Sequence, residues 1–256
     1  MKFGSGLISL AVIVAATSIG CSDPLSSPDG ARRDAPATRS NKDRYEVTAQ
    51  DIARYAPLLK SHEQGEQRAL RIKVDATRNR LWVLGLEHVY VYDITGKQLI
   101  RRVLLPNRSV AGFVCSPDMA LDRSGSAFIS SNVESRLWRI DAEDFGIKAQ
   151  EITLHAGAGR DIGFGALAFA TDGALFALTA HEGSLWRIDA VTLIASEIEL
   201  SERLLGTCTL IAPHQSIQSA QLRTVALCAA AGENVRRIVI SPDFTRGHVS
   251  DEKCPS

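Results

Sequence analysis

Short apolar segments follow one another along the chain from about residue 70 to residue 240. They are rich in Val, Ile, Leu and aromatic residues, and turn-forming pairs such as Arg78–Asn79, Ser124–Gly125 and Asp172–Gly173 separate them. Many segments lack a strict alternation of apolar and polar positions, which is typical of strands covered on both faces. The pattern therefore predicts an all-β domain in which sheets pack against their neighbours.

The segments are organised in a repeat. The hexapeptide Leu-Trp-Arg-Ile-Asp-Ala occurs at Leu137–Ala142 and again, 48 residues later, at Leu185–Ala190. A weaker copy precedes this pair and includes Asp93, and a degraded copy follows it near Val235. Repeats of this length are typical of propeller blades. We therefore expect a β-propeller with four recognisable blades of about 48 residues.

Each unit divides into four predicted strands, the last of which is uncertain in the fourth unit. The predicted strands are Leu70–Asp75, Leu81–Gly85, Val89–Ile94, Gln98–Leu105, Asp118–Asp122, Ala127–Ser131, Arg136–Asp141, Lys148–Leu154, Gly165–Ala170, Ala174–Thr179, Ser184–Asp189, Ala195–Leu200, Thr207–Pro213, Arg223–Ala230 and Asn234–Ser241.

The tandem four-stranded units and their turns resemble β-propeller families, including the NHL and SMP-30-like groups and the PQQ- and YVTN-type repeat proteins. The resemblance covers about Leu70–Ile240, and those families usually have more than four blades. A four-bladed ring, a dimer that completes a larger ring and a truncated relative are the alternatives. Trp138 and Trp186 hold the same place in successive units, so we expect both to pack between blades.

The N-terminus carries a second signal. Leu7–Ala16 is an apolar run that is too short to span a membrane, and it is followed by Gly20 and Cys21. Residues 18–21 resemble the bacterial lipobox, which implies a lipoprotein signal peptide over residues 1–20 and a lipid on Cys21. An ordinary secretory signal is the alternative. Ser22 favours the outer membrane over the inner one by the sorting rule of enteric bacteria.

The region between this signal and the repeats has little apolar content at first. Residues 21–44 are rich in Ser, Pro, Asp and Arg, which predicts a flexible tether. Within Asn41–Glu66 one short helix is predicted, capped by Thr48, at the start of a propeller domain over residues 45–256.

Composition and motifs set limits on function. The chain has 29 basic and 29 acidic residues, so no overall field directs it to nucleic acid. The six histidines lack metal-ligand spacing, and neither a Gly-x-Ser-x-Gly elbow nor a phosphate-binding loop occurs. We therefore predict no catalytic residue, no metal and no cofactor.

Four cysteines follow Cys21, which in an exported chain predicts disulfides. If the first two strands of the fourth unit form a hairpin, Cys208 and Cys228 face each other, and Cys115 is left to pair with Cys254. The alternatives are a Cys115–Cys208 bond between the approaches to the second and fourth units, and free buried thiols.

Charged residues recur in two kinds of loop. In a propeller, the turns between second and third strands share a face with the connections between blades. A ring of carboxylates and arginines there could bind a cation, a sugar or a charged segment of a partner, although solvated turns carry such charges too. The candidate residues are Glu87, His88, Arg108, Glu134, Arg160, Asp161, His181, Glu182, Arg203 and Glu233.

These features predict a lipid-anchored cell-envelope β-propeller that acts as a ligand- or protein-binding or assembly module. Its expected partner is an envelope protein or a small ligand. The alternative is a metal-dependent propeller hydrolase similar to the SMP-30-like lactonases, whose Glu, Asn and Asp metal ligands have no matching positions here. A third possibility is a structural accessory of an envelope complex without a ligand of its own.

Overall fold

The computed structural model describes residues 69–111, 115–155, 163–170, 172–212, 225–231, 234–252 and 254. Within these ranges all regular structure is β-strand, which confirms the predicted all-β class. No helix long and apolar enough to cross a membrane occurs in these ranges. The predicted signal peptide, Cys21, the tether and the short helix lie outside the described residues.

Sixteen of the strands form four antiparallel units of four strands each. The first unit contains β1 (Arg71–Asp75), β2 (Arg80–Leu84), β3 (His88–Asp93) and β4 (Gln98–Leu104). The second contains β5 (Met119–Leu121), β6 (Ala127–Ser130), β7 (Arg136–Ile140) and β8 (Ile147–Glu151). After β9 (Thr153–His155), the third contains β10 (Phe164–Phe169), β11 (Leu175–Thr179), β12 (Leu185–Ile188) and β13 (Ile194–Leu200). The fourth contains β14 (Thr209–Ile211), β15 (Val225–Ala231), β16 (Asn234–Ile240) and β17 (Arg246–Ser250).

The prediction of a single strand over Lys148–Leu154 is wrong. Here β8 pairs with β7 and ends at Glu151, whereas β9 pairs in parallel with β13 of the third unit. Ile152 lies between the two strands, is buried, and donates its backbone N–H to the Ser135 carbonyl at 2.8 Å. This bond holds the chain at the point where it leaves one sheet for another.

The third and fourth units join at their outer strands. β13 pairs with β12 along one edge, and along the other edge it receives β9 and then β17, both in parallel. Glu199 and Leu200 lie opposite Arg246 and Gly247. A Cβ atom on Gly247 would lie 2.7 Å from Leu200 Cδ2, so a larger residue there would displace the Leu200 side chain. The two units therefore belong to one continuous nine-stranded sheet.

The apolar side chains pack between successive units. Trp138 is fully buried in a cluster that joins the first two units, and Trp186 is 2% exposed in a cluster that joins the second and third. A further cluster joins the third and fourth units. The expected packing of both tryptophans between units is confirmed, and this burial is the main stabilising contribution.

The first strands of the units meet at a polar centre, where β5 packs against β1 and β10, and β10 packs against β14. Asp118 is buried just before β5, and its carboxylate accepts hydrogen bonds from Arg71 Nε at 3.2 Å and Leu167 N at 2.8 Å. The Arg71 guanidinium also donates to the Cys208 carbonyl at 3.2 Å. These two side chains, which we call the central pair, therefore contact residues of all four units.

The predicted disulfide pairing is wrong, and the Cys115–Cys208 alternative is correct. Cys115 bonds to Cys208, and Cys228 bonds to Cys254. The hairpin of the fourth unit forms, but Ile211 rather than Cys208 lies opposite Cys228 in its register. Cys208 precedes the paired residues and lies at the centre, where the approach to the second unit brings Cys115 within reach.

Candidate functional site

The two kinds of loop that carry the predicted binding residues lie side by side in three units. In each unit the segment after the fourth strand donates a backbone hydrogen bond to the turn between the second and third strands. The bonds run from Leu105 N to Glu87 O at 2.8 Å, from Ile152 N to Ser135 O at 2.8 Å and from Leu204 N to Gly183 O at 3.0 Å. We call the end of the units formed by these loops the loop face.

Arg108 is the most unusual residue of the loop face. Its Nη1 donates to the Gly85 carbonyl at 2.9 Å, and its Cζ lies 6.0 Å from the centroid of the Trp138 ring. Its Nε and Nη2 are buried and have no hydrogen-bond partner. Burial lowers the pKa of Arg108 to about 10 because the cation has lost its water. Two strong donors are thus held in place without acceptors.

A buried amide fixes the segment that carries Arg108. Asn132, in the turn of the second unit, accepts from Ala111 N at 3.1 Å and donates to Ala111 O at 2.7 Å and to Cys115 O at 2.9 Å. Sequence reasoning missed this residue. The signal was available, because Asn132 ends a run of three polar residues that directly follows an apolar strand.

Two other predicted site residues, Glu134 and Arg203, have ion-pair partners within their own units. Glu134 pairs with Arg136 at 3.3 Å, and Arg203 pairs with Glu197 at 2.9 Å. The His88 ring lies 5.9 Å from the Tyr90 ring.

Glu87 and His181 are exposed, and Glu182 is half-buried. Arg160, Asp161 and Glu233 lie outside the described residues. Of the predicted residues, the structure brings Arg108 next to the turn that carries Glu87 and His88, through its bond to Gly85.

The central pair is the second feature that sequence reasoning missed. Asp118 lies in the segment Ser116-Pro117-Asp118 that leads into β5, and Arg71 is the first residue of β1. A carboxylate next to an apolar strand gives no sign that another strand some 47 residues earlier supplies its partner.

Within the described residues, no group of three His, Cys, Asp or Glu side chains is close enough to hold a metal ion. The chemistry that the loop face offers there is hydrogen-bond donation by a fixed guanidinium, held next to the turn that carries Glu87 and His88. Such a set suits recognition of an anionic group.

Solved structures with a similar arrangement are β-propeller-like. A catalytically inactive virginiamycin B lyase from Staphylococcus aureus with quinupristin aligns with 15% identity and a TM-score of 0.50, over 72% of this chain and 55% of that chain. A streptogramin B lyase gives 15% identity and a TM-score of 0.50, over 72% and 54%. An auxiliary nutrient binding protein from Bacteroides thetaiotaomicron gives 13% identity and a TM-score of 0.47, over 70% and 40%.

This chain therefore spans about half the length of the two lyases that it resembles. No protein-family model and no curated protein sequence matches the chain. At such low identity the likeness defines the class of fold, which is β-propeller-like, and nothing finer.

Proposed function

We propose that the chain is a four-bladed propeller, anchored to the cell envelope by a lipid on Cys21, that binds an anionic ligand or an acidic group of a partner at its loop face. The observation that carries this proposal is Arg108. Its two unpaired nitrogens, Nε and Nη2, lie on the same edge of the guanidinium plane. That edge matches the two oxygens of a carboxylate or phosphate group.

A buried cation with two unpaired donors reduces stability, because desolvation of a charge is costly. A bound ligand would supply the missing acceptors and offset this cost. Both nitrogens are covered in the free chain, so ligand entry requires the residues around Arg108 to shift outwards. Asn107 is exposed and has a φ of 54°, which places the bend of this segment at the surface.

The test compares Arg108→Met with Arg203→Met. Removal of the buried charge at Arg108 should raise the free energy of unfolding by about 1–3 kcal/mol. The matched change at Arg203, an exposed residue paired with Glu197, should stay within about 0.5 kcal/mol. Chemical denaturation gives both values.

The same variants test binding. Millimolar acetate and inorganic phosphate are the probes, and chloride at equal ionic strength is the control. Either probe should raise the melting temperature of the wild type and of Arg203→Met but not of Arg108→Met. Equal stabilisation of Arg108→Met would refute the role of Arg108.

The carboxylates of the loop face allow a second test. Charge reversal at Glu134 and Glu182 together should change anion or partner binding and lower the melting temperature only slightly, because an ion pair at a partly exposed turn, such as Glu134 with Arg136, contributes no more than about 1 kcal/mol. If binding survives this double change and is lost on altering Arg78–Asn79 and Ser124–Gly125, the opposite end of the units is the functional one.

The envelope anchor is tested separately. Cys21→Ser should release the protein from membranes or leave the precursor uncleaved, because the cysteine thiol accepts the lipid. Membrane fractionation and mass spectrometry of the mature N-terminus give the answer, and a variant that is processed and anchored like the wild type excludes a lipoprotein. The metal-dependent hydrolase is not proposed, because no observation among the described residues favours it.

A further inference from the structure

The outer strand of the first unit, β4, pairs with β3 along one edge. Just after β4, the Leu105 N–H points towards the β3 side and donates to Glu87 O. Because successive backbone groups of an antiparallel strand point in opposite directions, the N–H and C=O of Leu104 point away from β3. In the described part of the chain no strand pairs with this second edge.

The side chains of β4 are unusually apolar for an outer strand. Leu99, Ile100 and Leu104 are 46%, 41% and 57% exposed. Folded chains normally avoid long edge strands with exposed apolar residues, because such edges recruit other strands. This combination therefore indicates a surface that another segment covers.

The region around β4 has a strong local charge. From Ile94 to Pro117 the sequence contains Lys97, Arg101, Arg102 and Arg108 and no acidic residue, although the whole chain is balanced at 29 basic and 29 acidic residues. Arg101 is exposed on β4 itself. The complementary partner is therefore an acidic segment.

The same molecule shows how such an edge is covered. β13 holds the position in the third unit that β4 holds in the first, and its outer edge receives β9 and β17 as added strands. β9 is only three residues long, so a short extended segment is enough to pair with an outer strand of this fold.

We propose that β4 is a docking edge for an extended acidic segment of a partner protein, which adds to the first unit as a fifth strand. Backbone pairing along the edge supplies affinity, Leu99, Ile100 and Leu104 contact apolar side chains of the segment, and Arg101 selects acidic ones. This docking edge is separate from the loop face and does not depend on ligand binding by Arg108.

The test uses unlipidated full-length protein and a fluorescein-labelled octapeptide of alternating Val and Glu. Two control peptides carry Lys in place of Glu, or N-methyl groups on alternate backbone nitrogens, which block strand pairing. Arg101→Glu is compared with Lys148→Glu, the matched reversal of an exposed charge on β8, the outer strand of the second unit. Fluorescence anisotropy measures binding.

The Val–Glu peptide should bind, both control peptides should bind at least tenfold more weakly, and Arg101→Glu should weaken binding about fivefold, which corresponds to an exposed ion pair. Lys148→Glu should leave peptide binding unchanged. Equal binding of the N-methylated peptide, or an equal effect of Lys148→Glu, overturns the docking edge.

Absence of peptide binding also overturns the proposal. Anionic phosphatidylglycerol vesicles are tested in parallel for this reason. If vesicles bind and lose affinity with Arg101→Glu while the peptide does not bind, β4 faces a membrane surface and not a partner strand.

Discussion

The centre of the molecule and its loop face hold their charges in different ways. At the centre, the Asp118 carboxylate is 5% exposed and accepts from the first and third units, while Arg71 reaches the second and fourth. At the loop face, Glu134 pairs with Arg136 two residues away, and Arg203 pairs with Glu197 of its own unit. The central charges connect the units to one another, whereas these two ion pairs of the loop face each stay within a single unit.

The largest expected effect comes from the central disulfide. Replacement of Cys115 and Cys208 by Ser opens a loop with a sequence separation of 93. The chain-entropy model predicts that the free energy of unfolding falls by about 4.6 kcal/mol. Replacement of Cys228 and Cys254, with a separation of 26, gives about 3.5 kcal/mol. Chemical denaturation of both double variants checks the order, and a larger loss for the C-terminal pair would show that the centre does not hold the units together.

The second largest change in stability is expected from a substitution in the central pair. Asp118→Asn keeps the size of the side chain but leaves the Arg71 cation without its carboxylate. We therefore expect the free energy of unfolding to fall by about 3–5 kcal/mol. Glu134→Gln removes a comparable ion pair on the loop face, where we expect less than about 1 kcal/mol. Urea unfolding of both variants measures the difference. Similar losses at the two positions would remove the distinction between centre and face.

The smallest effect concerns a turn carboxylate that, like Glu134, is satisfied locally. Hydrogen bonds from the Thr192 and Val191 backbone N–H groups lower the pKa of Asp189 below its ordinary value. A lowered folded-state pKa stabilises the protein above the unfolded-state pKa, and this stabilisation is lost as the pH falls through the folded-state value. Because Asp189 is largely solvated, the effect should be well under about 1 kcal/mol.

The measurement compares wild type with Asp189→Asn between pH 6 and pH 2. The stability difference should shrink as the pH falls below about 4, the ordinary range of an aspartate. A difference that is constant with pH would mean that the turn hydrogen bonds do not favour the charged form.

Much of the strand pattern could be predicted from sequence, because strand type and turn chemistry are local. The repeated hexapeptide placed Trp138 and Trp186 between units, and its aspartates Asp141 and Asp189 accept backbone N–H bonds in equivalent turns. The approximate positions of most strands and the burial of the tryptophans follow from residues close together in the chain.

The features that could not be predicted are the long-range ones. A one-strand prediction for Lys148–Leu154 failed because the chain changes sheets at Ile152, and the partner strand, β13, lies about 40 residues further on. The disulfide prediction failed because the hairpin register in the fourth unit is offset by three residues from the assumed one, which leaves Cys228 opposite Ile211. The charge of Arg108 makes it a candidate from sequence, but its missing acceptors become evident only in three dimensions.

The pairing of β13 with strands on both of its edges has a consequence for biosynthesis. Within the described ranges, its outer edge at Glu199 and Leu200 is paired by β17 alone, and Arg246 follows Leu200 by 46 residues. At a synthesis rate of roughly 5–20 residues per second, that edge stays unpaired for about 2–9 s before its partner strand is synthesised. During this interval it can recruit a strand from another nascent chain. When the protein is made without residues 1–20, so that it stays in the cytosol, synonymous codons that slow translation between β13 and β17 should therefore increase aggregation.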